Sequence, residues 1–402
     1  MKIFVLGAGA SGLALASFAD GLDVNVIDKN DMAGRKLLAT GNGRCNFTNQ
    51  NLDLSFYQSS RKDFFKKALA NFDNKDLIAY LNLLGVDSRS LPSGRFYPTT
   101  MQSSTIRDSL YLKAKDNASF IFNEEIVDID LDKKLLISKN NKYKYDILVL
   151  AGGGISLKNS GSDGSIFKIL KGKIPQTDLV LAISNYESPD SLSRAAKGVK
   201  ITGKVSLFVD NKFLAGEVND IIFQSYGLSG TGIFNISNLI SLGLRDKKKV
   251  KVLVDFLPAY SKKGLFKRLE EIFESFPKRR IEDCLIGLIN KRLIGDILSR
   301  AKIERGQKAN KISNEDLKGL VDLLKGMEFR ISDIHNKDQA QVTIGGFDTR
   351  YISDETMESS IYEGLYFIGE IMDVSGSCGG YNIQWAFSSA KACIESIRSI
   401  HV

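Results

Sequence analysis

The stretch from Ile3 to Asp28 restricts the fold more than any other. Ile3-Phe4-Val5-Leu6 is an apolar run of strand length, Gly7-Ala8-Gly9-Ala10-Ser11-Gly12 follows, and Leu13 to Ala19 reads as an apolar helix. Gly21 breaks that helix, and Val24-Asn25-Val26-Ile27 makes a second strand ending at Asp28. A G-x-G-x-x-G turn between strand and helix, with an acid closing the next strand, is the βαβ unit that binds a dinucleotide. Gly7 permits the tight turn, Gly9 lets backbone approach a pyrophosphate, and Gly12 lets the helix lie close on the sheet. N–H groups at the helix start, around Ala10 and Ser11, face the phosphates, while Asp28, with Lys29 beside it, is placed for the ribose hydroxyls. A tight turn without a ligand is the plainer alternative for the same glycines.

At 402 residues and 43% hydrophobic content the chain can bury a large core, and its length suggests two or three domains. Cys45, Cys284, Cys378 and Cys393 lack metal or C-x-x-C spacing, and His335 and His401 are far apart. Neither a zinc site nor a disulfide framework is expected, which favours a reducing, cytoplasmic setting. Met1 to Leu6 is too short for a signal segment, and no run is long enough to span a bilayer. The net charge of +8 suits an anionic ligand, nucleic acid or a membrane surface. Its cations are dispersed except at Lys247-Lys248-Lys249 with Lys251 and at Lys278-Arg279-Arg280, and such runs are usually solvated faces.

Beyond Asp28, Gly34-Arg35-Lys36 and Gly41-Asn42-Gly43-Arg44-Cys45-Asn46-Phe47-Thr48-Asn49 combine cations with glycines and small polar residues, so backbone can approach a flat or charged ligand. Together with the N-terminal unit, these segments resemble the signature of the FAD-dependent family that includes aminoacetone oxidase and the BaiN-type flavoproteins. Gly216-Glu217-Val218, Tyr226 to Gly230, Val342 to Gly346, Thr356 to Ser359 and Gly369-Glu370 through Phe387 extend the resemblance over nearly the whole chain. The resemblance implies that backbone near Ile126 meets the adenine.

Residues 60–120 read as mainly helical, Arg89 to Thr100 as a loop, and the segments at Phe120, Ile126 and Leu135 as a strand meander. Ile147 to Leu150 is a fully apolar strand of a buried parallel sheet, ending in Ala151-Gly152-Gly153-Gly154, where ligands of such sheets gather. From Leu179 the pattern changes to short strands, at Val199 to Ile201, Val205 to Val209 and Phe213 to Gln224, and then to amphipathic helices over 262–325. At the C-terminus, Leu365 to Ile368 is a strand leading into Gly369-Glu370. Its similarity to two-part FAD proteins implies that this pair receives the ribityl chain, although Gly-Asp is commoner there and Asp373 could share the role. A final helix opens near Asn382-Ile383-Gln384-Trp385-Ala386, and its free N–H groups can stabilise charge on the pyrimidine edge of a flavin. Two distant segments gripping one cofactor is what FAD requires and NAD does not.

The expected fold is therefore α/β: a Rossmann-like FAD-binding domain built from residues 1–180 and 336–402, with an inserted antiparallel β-barrel-like subdomain (181–260) and a small helical subdomain (261–335). The expected function is an FAD-dependent oxidoreductase passing hydride between flavin and a small organic substrate, by amine oxidation or enone-type reduction, with NAD(P)H or oxygen as redox partner. Arg35, Lys36 and Arg44 are the candidate pyrophosphate or flavin contacts. No side chain is singled out as acid or base. Tyr226 and Tyr381 could bond substrate, Trp385 is packing, and Cys45 and Cys378 are read as structural thiols sooner than a redox pair. An RNA-linked flavoprotein of tRNA-modifying type and a flavin scaffold without turnover are the alternatives. Against RNA, the basic runs lack interleaved aromatic residues.

Overall fold

The computed structural model describes residues 1–400. They form two compact units: Met1–Ala182 together with the chain from Asp338 onward, and Ile183–Lys337. In the first unit, β1 (Ile3–Leu6), β2 (Val24–Ile27), β3 (Ala118–Ile121), β4 (Ile147–Leu150) and β5 (Leu365–Phe367) make a parallel sheet in the order β5-β4-β1-β2-β3. Every residue of β1 and β4 is buried, as expected of strands covered on both faces. Helix α1 (Ala10–Ser17) has no polar face because it is wedged between the helix Ser103–Asn117 and the final helix α3 (Tyr381–Ile400). The last strand and helix of the chain thus complete a sheet begun by the first.

The strands expected as one meander divide. β3 pairs with β2 in parallel, and only 126–130, 135–138 and 142–144 form an antiparallel sheet. Ala118 follows the helix Ser103–Asn117 without a loop, so the chain returns to the sheet edge, where the strand is only partly buried and lacks the fully apolar run of a central parallel strand. Within the expected loop, Ser88–Ser90 and Arg95–Pro98 pair as strands, and the latter also pairs with Thr48–Asn49.

The second unit has a seven-stranded antiparallel sheet ordered 327–331, 250–255, 200–209, 212–224, 227–229, 185–187, 333–335. Its first and last strands are separated only by Ser332, although flat strands would put them about 29 Å apart at roughly 4.8 Å per strand. The sheet must therefore curl until its edges meet, as a barrel does. Lys200–Val209 runs unbroken through Gly203, which lies between the expected separate strands at 199–201 and 205–209, and Lys212–Gln224 is likewise one strand. Gly203 is needed for close approach instead, since a Cβ there would lie 2.8 Å from Asp255 O. The strands and the helices of 262–326 share one core, with Val252 and Phe329 packed among Leu265, Leu320 and Leu324.

Candidate functional site

The glycine turn separates into two kinds of position. Gly7 has φ +115°, and a Cβ there would meet Ala151 O at 2.6 Å, while at Gly12 it would meet Gly7 O at 1.9 Å. Packing alone requires both to be glycine. At Gly9, φ is −76° and the nearest atom to a Cβ is 4.0 Å away. Nothing in the protein demands glycine there, whereas a pyrophosphate lying on the backbone does. The turn fits a dinucleotide on that observation.

Asp28 is pinned beneath this turn. Its Oδ2 accepts the Ala8 N–H at 2.7 Å, and its Oδ1 accepts Asn30 N at 2.8 Å and Asn30 Nδ2 at 2.9 Å. Glu124 N donates to Asp28 O at 3.1 Å and Asn123 N to Asn30 O at 2.9 Å, which brings the segment before the buried Ile126 alongside. A cavity of about 460 Å³ opens here, lined by Lys29, Asn30, Glu124, Ser138, Lys139 and Lys158 among others. Lys29 pairs with Asp163 at 2.7 Å and so faces the loop after β4.

Four segments converge beside the turn. Gly34, left-handed at φ +71°, starts α2 (Arg35–Ala39) and donates its N–H to Ala8 O at 2.8 Å. Lys36 Nζ reaches Glu370 Oε2 at 2.5 Å and Ser156 Oγ at 2.6 Å. Glu370 Oε1 also accepts Ser156 Oγ at 3.0 Å and Thr343 N at 2.7 Å. Thr343 Oγ1 in turn accepts the Ile155 N–H at 2.8 Å. Ala151 N donates to Leu6 O, Gly153 is left-handed, and a Cβ on Gly152 would strike Ile166. Gly369, at φ +74°, lies so near α1 that a Cβ would come within 2.7 Å of Ser11 Oγ. Its carbonyl accepts Trp385 Nε1 at 3.1 Å, so the indole is packed with its N–H satisfied.

Other expected site residues serve the framework in this geometry. Asp373 accepts Ser60 N at 3.0 Å. Asn382 clamps Gly376 through its N–H and carbonyl, both at 2.8 Å. Gln384 is fully buried and bonded to Thr48, Phe72 and Ser388. Ile383 and Ala386 are buried near the start of α3, whose first-turn N–H groups have no intrahelical acceptor. Arg35 is directed to Asn30 at 3.0 Å and to Asp31 at 3.8 Å.

The segment after α2 takes left-handed backbone at Gly41, Asn42, Gly43 and Cys45. Arg44 lies over the Tyr97 ring at 5.4 Å and donates to Gly41 O. Asn46 Oδ1 is buried with no hydrogen-bond donor from the protein, as a ligand acceptor would be. Burial pushes the Cys45 thiol up to about 12, only partly offset by its hydrogen bond with Thr40, so it stays protonated and is a poor nucleophile. Arg95 approaches Cys378 Sγ at 3.8 Å. The Tyr381 hydroxyl is occupied by Asn51 O at 3.0 Å.

The turn, Asp28, α2, the loop after β4 and Gly369-Glu370 therefore form one bonded set. Sequence reading missed Asn30, Ser156 and Thr343 within it; Thr343 lies within Val342 to Gly346 and Ser156 follows the second glycine cluster, but neither carries a spacing signal. In the second unit, the Tyr226 and His335 rings stack with centroids 3.4 Å apart, and His335 Nδ1 meets Glu187 Oε1 at 3.0 Å. Among the described residues no group of side chains is arranged to hold a metal, and no helix is long and apolar enough to cross a membrane.

The HI0933-like protein Rossmann domain family matches residues 1–396. The chain is 30% identical over 396 residues to a 3-dehydro-bile acid delta(4,6)-reductase of Clostridium scindens, covering 96% of this chain and 97% of that protein. It is also 30% identical to a ribosomal RNA dihydrouridine synthase of Haemophilus influenzae, covering 98% and 97%. A ribosomal RNA dihydrouridine synthase of Escherichia coli is 28% identical with the same coverage.

Proposed function

The chain belongs to the HI0933-like Rossmann-domain family, and from that premise we propose that it is an FAD-dependent reductase of carbon–carbon double bonds conjugated to a carbonyl. The observation that carries the proposal is the approach of Gly369 to Ser11: head and tail glycine segments meet beyond the carboxyl ends of β1 and β5, with open space at Gly9. FAD bound there would supply the two-electron hydride chemistry that reduction of such a double bond needs, with a nicotinamide as the reductant and solvent as the source of the second hydrogen, a proton. The Gly7–Gly12 turn and the start of α1 hold the pyrophosphate, and Asp28 with Lys29 holds the adenosine ribose. Backbone near Ile126 holds the adenine. Gly34, Lys36, residues 42–46, Ala151 to Gly153, Gly369 and the start of α3 enclose the flavin-bearing half.

Reduction is favoured over amine oxidation because the relative 30% identical over 396 residues is named a delta(4,6)-reductase. A second reading places the double bond in a uracil of ribosomal RNA. It is favoured by the two dihydrouridine synthase relatives and by the net charge of +8. A cytoplasmic location suits four free cysteines.

The test is to purify the protein, record its visible spectrum, and bleach it anaerobically with NADH or NADPH. Restoration of the spectrum by a 3-oxo-4,6-diene steroid acid or by a uridine-containing ribosomal RNA fragment is expected. A colourless protein that refuses FAD, or a bleached one that only oxygen restores, would overturn the proposal.

A further inference from the structure

We propose that the tip of the hairpin Lys200–Val209/Lys212–Gln224, with the lysine turn 247–249 beside it, is a docking surface for RNA; the proposal rests on the reading in which the reduced base is part of an RNA. In sequence the lysine run has no aromatic neighbour, but strand pairing supplies two. Asp210 and Asn211, both left-handed, turn the chain so that Phe208 and Phe213 stand opposite each other, their rings 5.7 Å apart at 66°. Phe208 is also in register with Lys251 on the neighbouring strand. The lysine turn is fixed to the hairpin tip by Asp210 N donating to Lys249 O and Lys249 N donating to Asp210 Oδ1, both at 2.9 Å.

Phe213 is 54% exposed and Leu214 40%. Large apolar side chains left in water on a rigid hairpin, where nothing in the fold requires them, mark a contact surface. Among the described residues, Lys212, Lys247 and Lys249 form no ion pair, whereas Lys248 shares Asp246 with Arg245. Uncompensated cations around the exposed Phe213 ring, which Phe208 backs, combine a phosphate-binding charge with a stacking platform for unpaired bases. Charge complementarity therefore points to an anionic chain bearing flat rings.

The test uses the full-length, FAD-loaded protein, a fluorescein-labelled RNA hairpin with a uridine-rich loop, and phosphatidylserine vesicles as the rival anionic surface. Fluorescence anisotropy across a salt series should show tight, salt-sensitive RNA binding. Replacing Lys247, Lys248 and Lys249 together by Gln should weaken it and flatten the log–log salt slope by about 2, at roughly 0.7 per lost phosphate contact. Phe213→Ser should weaken binding about tenfold with the slope unchanged. Both variants should keep the wild-type flavin spectrum and its bleaching by NAD(P)H, which shows that they fold. Unchanged RNA affinity in both variants, or binding to vesicles without RNA binding, would overturn the proposal. RNA affinity is read without turnover, so a protein unable to reduce any substrate could still bind RNA through these residues; the two failures are distinct.

Discussion

Lys36 and Glu370, 334 positions apart, meet at 2.5 Å, and Ser156 bridges them from a third segment. Their side chains are only 20% and 17% exposed, so each charge is held in place largely by the other. Lys36→Met leaves the carboxylate half-buried without its cation and is expected to destabilise the protein by about 2–3 kcal/mol. Glu370→Gln keeps an oxygen for the Thr343 N–H, but it removes the charge and turns the acceptor facing Lys36 into an amide donor. Combining the two should recover part of the loss, giving a favourable coupling of about 1 kcal/mol in urea unfolding. Additive single effects would mean that the pair does not tie the two ends of the chain together.

Gly9 and Gly12 should respond oppositely to alanine. At Gly12 a Cβ lies 1.9 Å from Gly7 O, so Gly12→Ala must push α1 off the sheet and lower the melting temperature of the FAD-free protein. At Gly9 the backbone is ordinary for any residue and the nearest atom is 4.0 Å away, so Gly9→Ala should leave that melting temperature within a degree or two. It should nevertheless weaken FAD retention about tenfold or more, because the methyl group occupies the pyrophosphate's approach. Equal loss of stability in both variants would refute this division.

The parallel sheet, the glycine turn and the return of the C-terminal strand were legible because each rests on local pattern: apolar runs, spaced glycines and an acid at a strand end. The partners of those residues were not. Glu370 looks like a free acceptor until Lys36 and Thr343 arrive from distant segments, and Gln384 looks polar and available until Phe72 and Thr48 close around it. The same limit explains Gly203, which as a letter says break and as a neighbour of Asp255 allows two strands to approach. Family resemblance pointed to the segments, but only the fold distinguishes framework residues from those left facing a ligand.

Cys45 gives a pH prediction. Its thiol is pushed up to about 12 in the folded chain from an ordinary 9.0, with burial the leading cause. Below the ordinary value both states hold the proton and stability is indifferent to it. Between about 9 and 12 the unfolded chain loses a proton that the folded chain keeps, so this thiol makes stability fall as pH rises. Cys45→Ala should remove that part of the alkaline loss, seen as a shallower decline of urea midpoint with pH than in the wild type. Under native conditions near neutral pH, a thiol reagent should also spare Cys45. Rapid labelling there would show that the residue is reachable and its thiolate accessible.

The second unit begins and ends at one place, which bears on how the first can exist without it. Asn185 pairs with His335 at the mouth of the unit. On the first unit's side, Ala182 pairs with Val342 and accepts the Gln341 N–H at 3.2 Å. Replacing residues 183–337 by a short Gly/Ser linker therefore asks for no strand of the first unit to move, and such a loop closure costs little. The shortened chain should fold and bind FAD, because the Gly7–Gly12 turn, Asp28 and Gly369 all lie in the unit that remains. The excised segment should unfold cooperatively by itself, since strands and helices there share their own core. Visible absorbance of the shortened chain and circular dichroism of the fragment are the measurements. A shortened chain that folds yet takes up no FAD would show that the cofactor site needs residues from 183–337.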